Sequence, residues 1–224
     1  MAVFVRIRKL GCNMRERPIL FSAPMVRAIL AGTKTQTRRV VKERHIDAAP
    51  PVHFFQYLRE NCPYGQPGDR LWVRETWQGP LIDEELEEEF SQSPDYFKKP
   101  AFCAYRATDT LDAINADGEE LGWRPSIHMP RWASRILLEI TAIRVERLHE
   151  ISEADAQAEG VERVVVGSGW RRYCDPDSEE VGVPPCGDAR RSFRSLWKYI
   201  NGAESWSANP WVWVVEFKRA EVPA

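Results

Sequence analysis

The chain has 224 residues, of which 43% are hydrophobic and 29% charged, and its formal net charge is −2. This composition is typical of a globular protein and excludes a disordered chain, and the near-zero charge excludes a uniformly basic nucleic-acid-binding protein. No apolar run approaches the ~20 residues that span a bilayer and the first residues lack the apolar core of a signal peptide, so we expect a cytoplasmic protein without a membrane partner.

The first third of the chain alternates short elements with polar segments. A strand is predicted at residues 18–21 (PILF), and Ser22 with Pro24 predicts the start of a helix that ends at Gly32. TQTRRVV predicts a second strand, and residues 42–66 have the paired prolines and irregular pattern of a loop. GDRLWVRETW then predicts a turn and a strand. One face of that strand carries Leu71, Val73 and Glu75, and the other carries Trp72 and Arg74.

The remainder of the chain carries clearer periodic patterns. The acidic segment at residues 81–90 has a helical pattern. Strands are predicted at residues 102–107 and 135–148. The alternation of the second strand shifts phase after Ile140, which is typical of a bulge. Ser152 and Asp155 form a capping box for a short helix that ends at Gly160. Residues 188–201 predict a helix with four buried side chains, Phe193, Leu196, Trp197 and Ile200. In the last predicted strand, large apolar residues occupy alternate positions: Trp211, Trp213, Val215 and Phe217.

These elements predict an α+β fold, a small β-barrel with peripheral short helices and long inserts. We expect a single domain over residues 14–224, with inserts near 42–66, 78–100, 108–127 and 163–187. The five cysteines have irregular spacing, which in a chain without an export signal is typical of reduced thiols. The sequence has no closely spaced cysteine pair of the kind that binds zinc. Cys174, Cys186 and His128 could converge in space, but we expect neither a metal nor a cofactor.

The turn and strand AGTKTQTRRV (31–40) concentrate the side chains that bear chemistry. On a flat strand Lys34 and Thr37 would face opposite ways, so Lys34 must still lie in the turn that Gly32 permits. A threonine hydroxyl is a poor nucleophile unless a base activates it, and a lysine whose pKa is lowered by burial can be that base. The other interpretation is an ordinary solvated turn.

Glu159 is an acidic residue at the last turn of a helix, where it opposes the helix dipole at a cost of about 0.3–1 kcal/mol. It is either a tolerated surface side chain or one held there because it faces a cation, Lys34. In the second case it could orient the lysine, hold a water or pass a proton to the leaving group.

Further candidates for substrate or RNA binding lie near this motif. Arg38, Arg39, Lys42 and Arg44 form a basic stripe that suits phosphate contacts, or else a solvated strand that pairs with acidic inserts. Trp72 and Trp77 flank Glu75 and could stack on a base, although both also suit a core. Glu75 is the alternative acid if Glu159 points away from Lys34.

Four blocks of the sequence together resemble the ASCH (activating signal cointegrator homology) family, in its larger phage- and prophage-borne form. They are RPILFSAPMVRAILAGTKTQTRR, GDRLWVRETW, SEADAQAEGV and NPWVWVVEFKR, and the most specific mark is Gly32, Lys34, Thr37 and Arg39. The resemblance implies a PUA-like β-barrel with a cleft for RNA or nucleosides. Residues 1–13 lie outside it and we expect an extension there, with Met14 the more usual start.

Within that superfamily, the small bacterial amidohydrolases that deacetylate acetylcytidine use a Lys, a Thr and a Glu. Matched residue by residue, these fall on Lys34, Thr37 and Glu159. The resemblance therefore implies hydrolysis of an amide on an acylated base or nucleoside. The alternatives are a non-catalytic RNA-binding module and a ribonuclease that uses the same basic cleft. This chain is roughly twice as long as those enzymes, so its inserts could reshape the cleft, and the substrate and the oligomeric state remain open.

Overall fold

The computed structural model describes residues 14–110, 122–164, 168–173 and 184–220. Its strands are β1 (Glu16–Leu20), β2 (Gln36–Val40), β3 (Arg70–Arg74), β4 (Trp77–Gln78), β5 (Ala104–Tyr105), β6 (Leu137–Arg147) and β7 (Trp211–Arg219). Its α-helices are α1 (Ala23–Leu30), α2 (Glu43–Asp47), α3 (Phe54–Glu60), α4 (Glu87–Gln92), α5 (Glu153–Ala158) and α6 (Ala189–Asn201).

Five strands form one mixed sheet in the order β1-β3-β6-β7-β2, and β4 and β5 form a separate two-stranded hairpin. Only the pairing of β1 with β3 is parallel, and the other ladders are antiparallel. The α+β class is therefore confirmed. Among the described residues no ladder joins β1 to β2, so these two strands are the edges of an open sheet and the predicted barrel closure is absent from the hydrogen bonding.

Both faces of β7 are buried, which places it at the centre of the molecule. Trp213, Val215 and Phe217 pack with α1 and α3 on one face, whereas Val212 and Val214 pack with α5 and α6 on the other. Each such side chain contributes about 1.5–3 kcal/mol when it is fully removed from water. The central sheet therefore separates two apolar layers.

The strongest local patterns of the sequence are confirmed. The pairing of β6 with β7 shifts register between Ile140 and Ala142, as expected of a bulge. The Ser152 hydroxyl accepts the Asp155 N–H at 3.0 Å, and the Asp155 carboxylate accepts the Ser152 N–H in return, which completes the capping box of α5. Gly160 follows α5 with a φ of +83°, a conformation that favours glycine.

The prediction of a loop at residues 42–66 is wrong, since this segment contains α2 and α3. Leu58 is completely buried against the sheet, and its carbonyl accepts the Trp213 indole N–H at 3.1 Å. The paired prolines stand before α3, where a missing N–H does no harm to a helix. Tertiary contact with the central strand thus stabilises a helix that is too short to be evident from its own pattern.

Three smaller expectations need correction. Ile200 of α6 is 49% exposed although its helical spacing predicted burial, because it lies in the last turn of the helix, which ends at Asn201. The strand expected at 102–107 is reduced to the two residues of β5. The acidic helix α4 begins only at Glu87, after a short 3₁₀ turn.

Several predictions fall where the structure gives no description. The extension at residues 1–13 lies outside the described residues, as do 111–121 of one expected insert and 165–167 and 174–183 of another. The single-domain organisation over 14–224 stays a prediction. Among the described residues, no helix combines the length and the apolar character that crossing a membrane requires.

Candidate functional site

The turn after α1 places Lys34 beside the end of α5. Gly32 has a φ of +75°, which lets the chain reverse so that the N–H groups of Thr33 and Lys34 both reach the Ala28 carbonyl, at 2.9 and 3.1 Å. The Thr35 N–H then donates to the Ala158 carbonyl at 2.9 Å. Lys34 therefore precedes β2 and lies in a short backbone bridge with Glu159.

Glycine at position 160 is required for this close approach. A Cβ there would lie 2.8 Å from the Lys34 Cβ and 2.9 Å from the Ala28 Cβ, closer than side-chain carbons come. The positive φ of Gly160 would also strain any other residue. The glycine that ends α5 is thus also the one that admits the lysine.

The Lys34 ammonium is buried and all three of its protons have acceptors. Nζ donates to the Glu159 Oε2 at 2.9 Å, to the Glu159 carbonyl at 2.8 Å and to the Gln36 carbonyl at 2.9 Å. It also lies 5.6 Å from the centre of the Phe21 ring. Burial lowers the pKa of Lys34, although the neighbouring Glu159 carboxylate acts in the opposite direction.

Arg38 donates a hydrogen bond to the other oxygen of the Glu159 carboxylate. Its Nη1 donates to the Glu159 Oε1 at 3.0 Å, and its Nη2 lies 2.5 Å from the Glu146 Oε1 and 3.3 Å from the Asp155 Oδ2. The Arg38 side chain has no exposed surface. We call Lys34, Arg38, Glu146, Asp155 and Glu159 the Lys34 cluster.

The cluster lies on the sheet face that α5 and α6 cover, and it reaches solvent through Arg144. The Arg144 guanidinium contacts Glu146, Asp155 at 2.6 Å, and Glu216. The Arg144 side chain is 34% exposed, whereas Glu159 is 4% exposed. The solvent exposure of the charged side chains therefore increases from Lys34, which is buried, to Arg144, which is partly exposed.

Asp155 gives this cluster a measurable acid sensitivity. Burial raises the pKa of Asp155, but the Ser152 hydrogen bond and the charges of Arg144 and Arg38 outweigh it and lower the pKa from 3.8 to about 2. A carboxylate with a lowered folded-state pKa stabilises the fold above its unfolded pKa, and the stabilisation is lost as pH falls through the folded value. Asp155→Asn should therefore cost about 2 kcal/mol of unfolding free energy near neutral pH and almost nothing near pH 2.

Urea unfolding at several pH values measures this difference. The control is Asp47→Asn at an exposed position of α2, which should change the free energy of unfolding by less than about 0.5 kcal/mol throughout. A loss in Asp155→Asn that is the same at every pH would show that the charge of Asp155 contributes nothing.

Thr37 is buried but lies on the opposite face of β2 from Arg38. Thr37 pairs with Val215, which belongs to the layer under α1, whereas Arg38 pairs with Val214 of the other layer. Thr37 is 3% exposed. The structure thus joins Lys34 to Glu159 and shows no direct contact of either with the Thr37 hydroxyl.

The predicted basic stripe divides between the interior and the surface. Arg38 is enclosed in the Lys34 cluster, and Arg39 is half-buried, with Nη2 donating to the Leu20 carbonyl at 2.8 Å and its guanidinium 5.4 Å from the centre of the Phe21 ring. Lys42 and Arg44 are exposed. Of the four, Lys42 and Arg44 are therefore the most accessible to a phosphate.

Glu75 belongs to a second buried charge cluster beside the β4–β5 hairpin. Its carboxylate, 1% exposed, accepts two hydrogen bonds from Arg135 at 2.9 and 3.0 Å. Burial raises the pKa of Glu75, while Arg135 acts to lower it. The Arg135 guanidinium lies 3.9 Å from the centre of the Tyr105 ring. Glu75 is thus already paired with a cation other than Lys34.

The two tryptophans proposed as base-stacking surfaces differ in exposure. Trp77 is 2% exposed and packs edge-on against Trp132 in the hairpin core, so its ring is not accessible for stacking. Trp72 is half-buried, with the Arg74 guanidinium 5.4 Å from the ring centre.

Sequence analysis missed Arg135, Arg144 and Glu146 as partners in these clusters. The alternation of β6 contained the signal for two of them. Once Ile143 and Val145 are assigned to one face, Arg144 and Glu146 must share the other. Nothing in the sequence pairs Arg135 with Glu75, because that contact depends on how β3 and β6 align.

Among the described residues, no group of three His, Cys, Asp or Glu side chains is arranged to hold a metal ion. Cys174, one of the residues considered for zinc, lies outside the described residues. Comparison of the chain with models of protein families, with curated proteins and with solved structures finds no match.

Proposed function

We propose that this chain is an ASCH-family protein that binds an acylated base or nucleoside and hydrolyses its amide. The observation that carries the proposal is the setting of the Lys34 amine. It is buried, it is held by Glu159, and it donates to the Gln36 carbonyl, whose peptide bond leads directly into Thr37. This is the residue set that the resemblance to the acetylcytidine amidohydrolases implies.

Lys34 would act as the base. Burial lowers its pKa, which increases the fraction of neutral amine at physiological pH. In the neutral form one lone pair becomes available to accept a proton. The hydrogen bond between a base and its nucleophile often forms fully only when substrate binds, so this role requires the Thr37 hydroxyl to approach Lys34 in the complex.

The proposed reaction has two balanced steps. The Thr37 hydroxyl gives its proton to the neutral Lys34 amine while its oxygen attacks the amide carbonyl, and the ammonium then passes that proton to the leaving nitrogen as the C–N bond breaks. Water next gives a proton to Lys34 and attacks the acyl-threonine, and the ammonium returns that proton to the Thr37 oxygen as the ester bond breaks, which releases the carboxylic acid and restores the hydroxyl. Glu159 positions Lys34, and Arg38 fixes the orientation of Glu159.

We propose that the sheet corresponds to a PUA-like barrel that is held together at its open side by side chains. The Arg39 guanidinium on β2 donates to the Leu20 carbonyl at the end of β1, and the Phe21 ring contacts both Arg39 and Phe217. These contacts bring the two edge strands together without a backbone ladder. Lys34 contacts the same Phe21 ring, so the site lies at this junction.

A second candidate, RNA binding without catalysis, is favoured by two observations. All three Lys34 protons are occupied by protein acceptors, which is typical of a structural cation. Lys42 and Arg44, immediately after β2, are exposed and could contact a phosphate backbone. In this case the Lys34 cluster would only shape the strand that presents them.

The test is a panel of acylated and unmodified nucleosides, assayed for release of the acid and for a shift in melting temperature. We expect release of the acid from at least one acylated nucleoside, and a rise in melting temperature with the corresponding unmodified nucleoside, because a ligand of the native state stabilises it. The proposal would be contradicted if no member of the panel is hydrolysed and no member raises the melting temperature.

RNA binding is distinguished by its dependence on salt. A polymer contacted through phosphates loses affinity steeply as salt rises, whereas an uncharged nucleoside does not. If the second candidate is correct, Lys42→Gln with Arg44→Gln should flatten the salt slope by about one unit for each phosphate that the variant no longer neutralises.

A further inference from the structure

A cationic cavity lies on the outer side of α6, apart from the Lys34 cluster. It has a volume of about 500 Å³, within the range of small-molecule sites. Its walls include four cationic side chains, Arg172, Arg191, Arg194 and Lys198. We call it the α6 pocket.

The amphipathic character of α6 explains why the charges gather there. Phe193 and Trp197 are buried toward the sheet, so the residues at 191, 194 and 198, three and four positions apart, share the opposite side. Arg172, from the segment that precedes the helix in the chain, supplies the fourth charge. Like charges at this spacing destabilise an isolated helix, which favours a role that compensates them.

Within residues 14–110, 122–164, 168–173 and 184–220, few groups neutralise these charges. In the part of the chain that the structure describes, the one carboxylate seen in an ion pair with them is Asp188, 3.3 Å from Arg191 and 41% exposed. The Arg172 Nε donates to the Pro184 carbonyl at 3.0 Å, which leaves the terminal nitrogens of its guanidinium for another acceptor. Arg194 lies 5.9 Å from the centre of the Trp206 ring. The pocket is thus complementary to an anion of several charges.

We propose that the α6 pocket binds a small organic phosphate with two or more negative charges, such as a nucleoside diphosphate. Guanidinium groups present parallel N–H donors that match phosphate oxygens, and four converging cations suit a compact anion better than a strand with spaced single charges. Tyr199, 53% exposed, lines the same cavity and offers a ring surface to a base. The site is independent of amide hydrolysis at Thr37.

Isothermal titration with inorganic phosphate, pyrophosphate and adenosine diphosphate tests this proposal. We expect pyrophosphate to bind more tightly than phosphate, and adenosine diphosphate to bind at least as tightly as pyrophosphate. Arg194→Gln with Lys198→Gln should weaken pyrophosphate binding at least about tenfold, since removing a charge-assisted hydrogen bond has a large effect. Both substitutions keep a polar side chain of moderate length and leave the buried side of α6 unchanged.

The control is Arg59→Gln with Lys98→Gln, which removes the same charge from exposed positions outside the pocket and should bind as the parent does. If the first double variant is misfolded by circular dichroism, Arg194→Gln alone gives the same test, because the Arg194 side chain is exposed. Equal pyrophosphate affinity in parent and variant would overturn the proposal. So would binding of single-stranded RNA, sensitive to the same substitutions, without binding of pyrophosphate.

Discussion

Replacing Glu159 with glutamine should lower the free energy of unfolding by about 3–5 kcal/mol, the usual cost of breaking a buried ion pair from one side. The two carboxylate oxygens of Glu159 are divided between Lys34 at 2.9 Å and Arg38 at 3.0 Å, and all three residues are at most 4% exposed. A glutamine amide would direct its NH₂ group at one of these cations and leave the buried Lys34 ammonium without a counter-ion, while Arg38 would keep Glu146 and Asp155. Urea denaturation of both proteins near neutral pH measures the loss.

Glu139→Gln is the matched control. Glu139 is 35% exposed and pairs with Lys218 at 3.2 Å on the surface of the same sheet, so its loss should cost less than about 1 kcal/mol. A Glu159→Gln protein as stable as the Glu139→Gln protein would mean that Lys34 and Arg38 find other compensation, and that Glu159 does not hold them in place.

Thr37→Val should reduce hydrolysis of an acylated nucleoside at least about a thousandfold, because the proposed nucleophile is removed while the shape of the side chain is kept. Its effect on stability should be small or favourable. Thr37 pairs with Val215 on the apolar face of β2 and is 3% exposed, so valine suits the site. The measurement is kcat/KM beside a melting curve for each protein.

The chain supplies its own control two residues earlier. Thr35 is exposed and contributes to the fold through its backbone, so Thr35→Val should keep the parent rate. A similar loss of rate in both variants would point to a general disturbance of the turn.

The elements that could be predicted from the sequence are those whose information is local. The phase slip in the 135–148 pattern is the bulge of β6, and the Ser152–Asp155 pattern is the cap of α5. Helix α3 was missed because its stability depends on burying Leu58 against Trp213, a contact across 155 residues of chain. Propensity within a short segment carries no information about such a partner.

In the candidate site, too, only features with local sequence information could be predicted. An acidic residue at a helix C-terminus left two interpretations of Glu159, a tolerated surface side chain or one that faces a cation, and in the structure its partner is Lys34. The sequence could not show that Arg38 turns inward to the same carboxylate, because an alternating polar strand is equally compatible with a solvated face. Nor could it show Glu75 bound to Arg135, since that pair joins two strands whose alignment only the fold defines.

Attack of the Thr37 hydroxyl on the amide is tested by comparing Thr37→Ser with Thr37→Val on one acylated nucleoside. Serine restores a hydroxyl at the same position. Under this mechanism the serine variant should retain readily measurable turnover, whereas turnover of the valine variant should fall by about a thousandfold or more from the parent. A valine variant that hydrolyses the substrate at nearly the parent rate would contradict it.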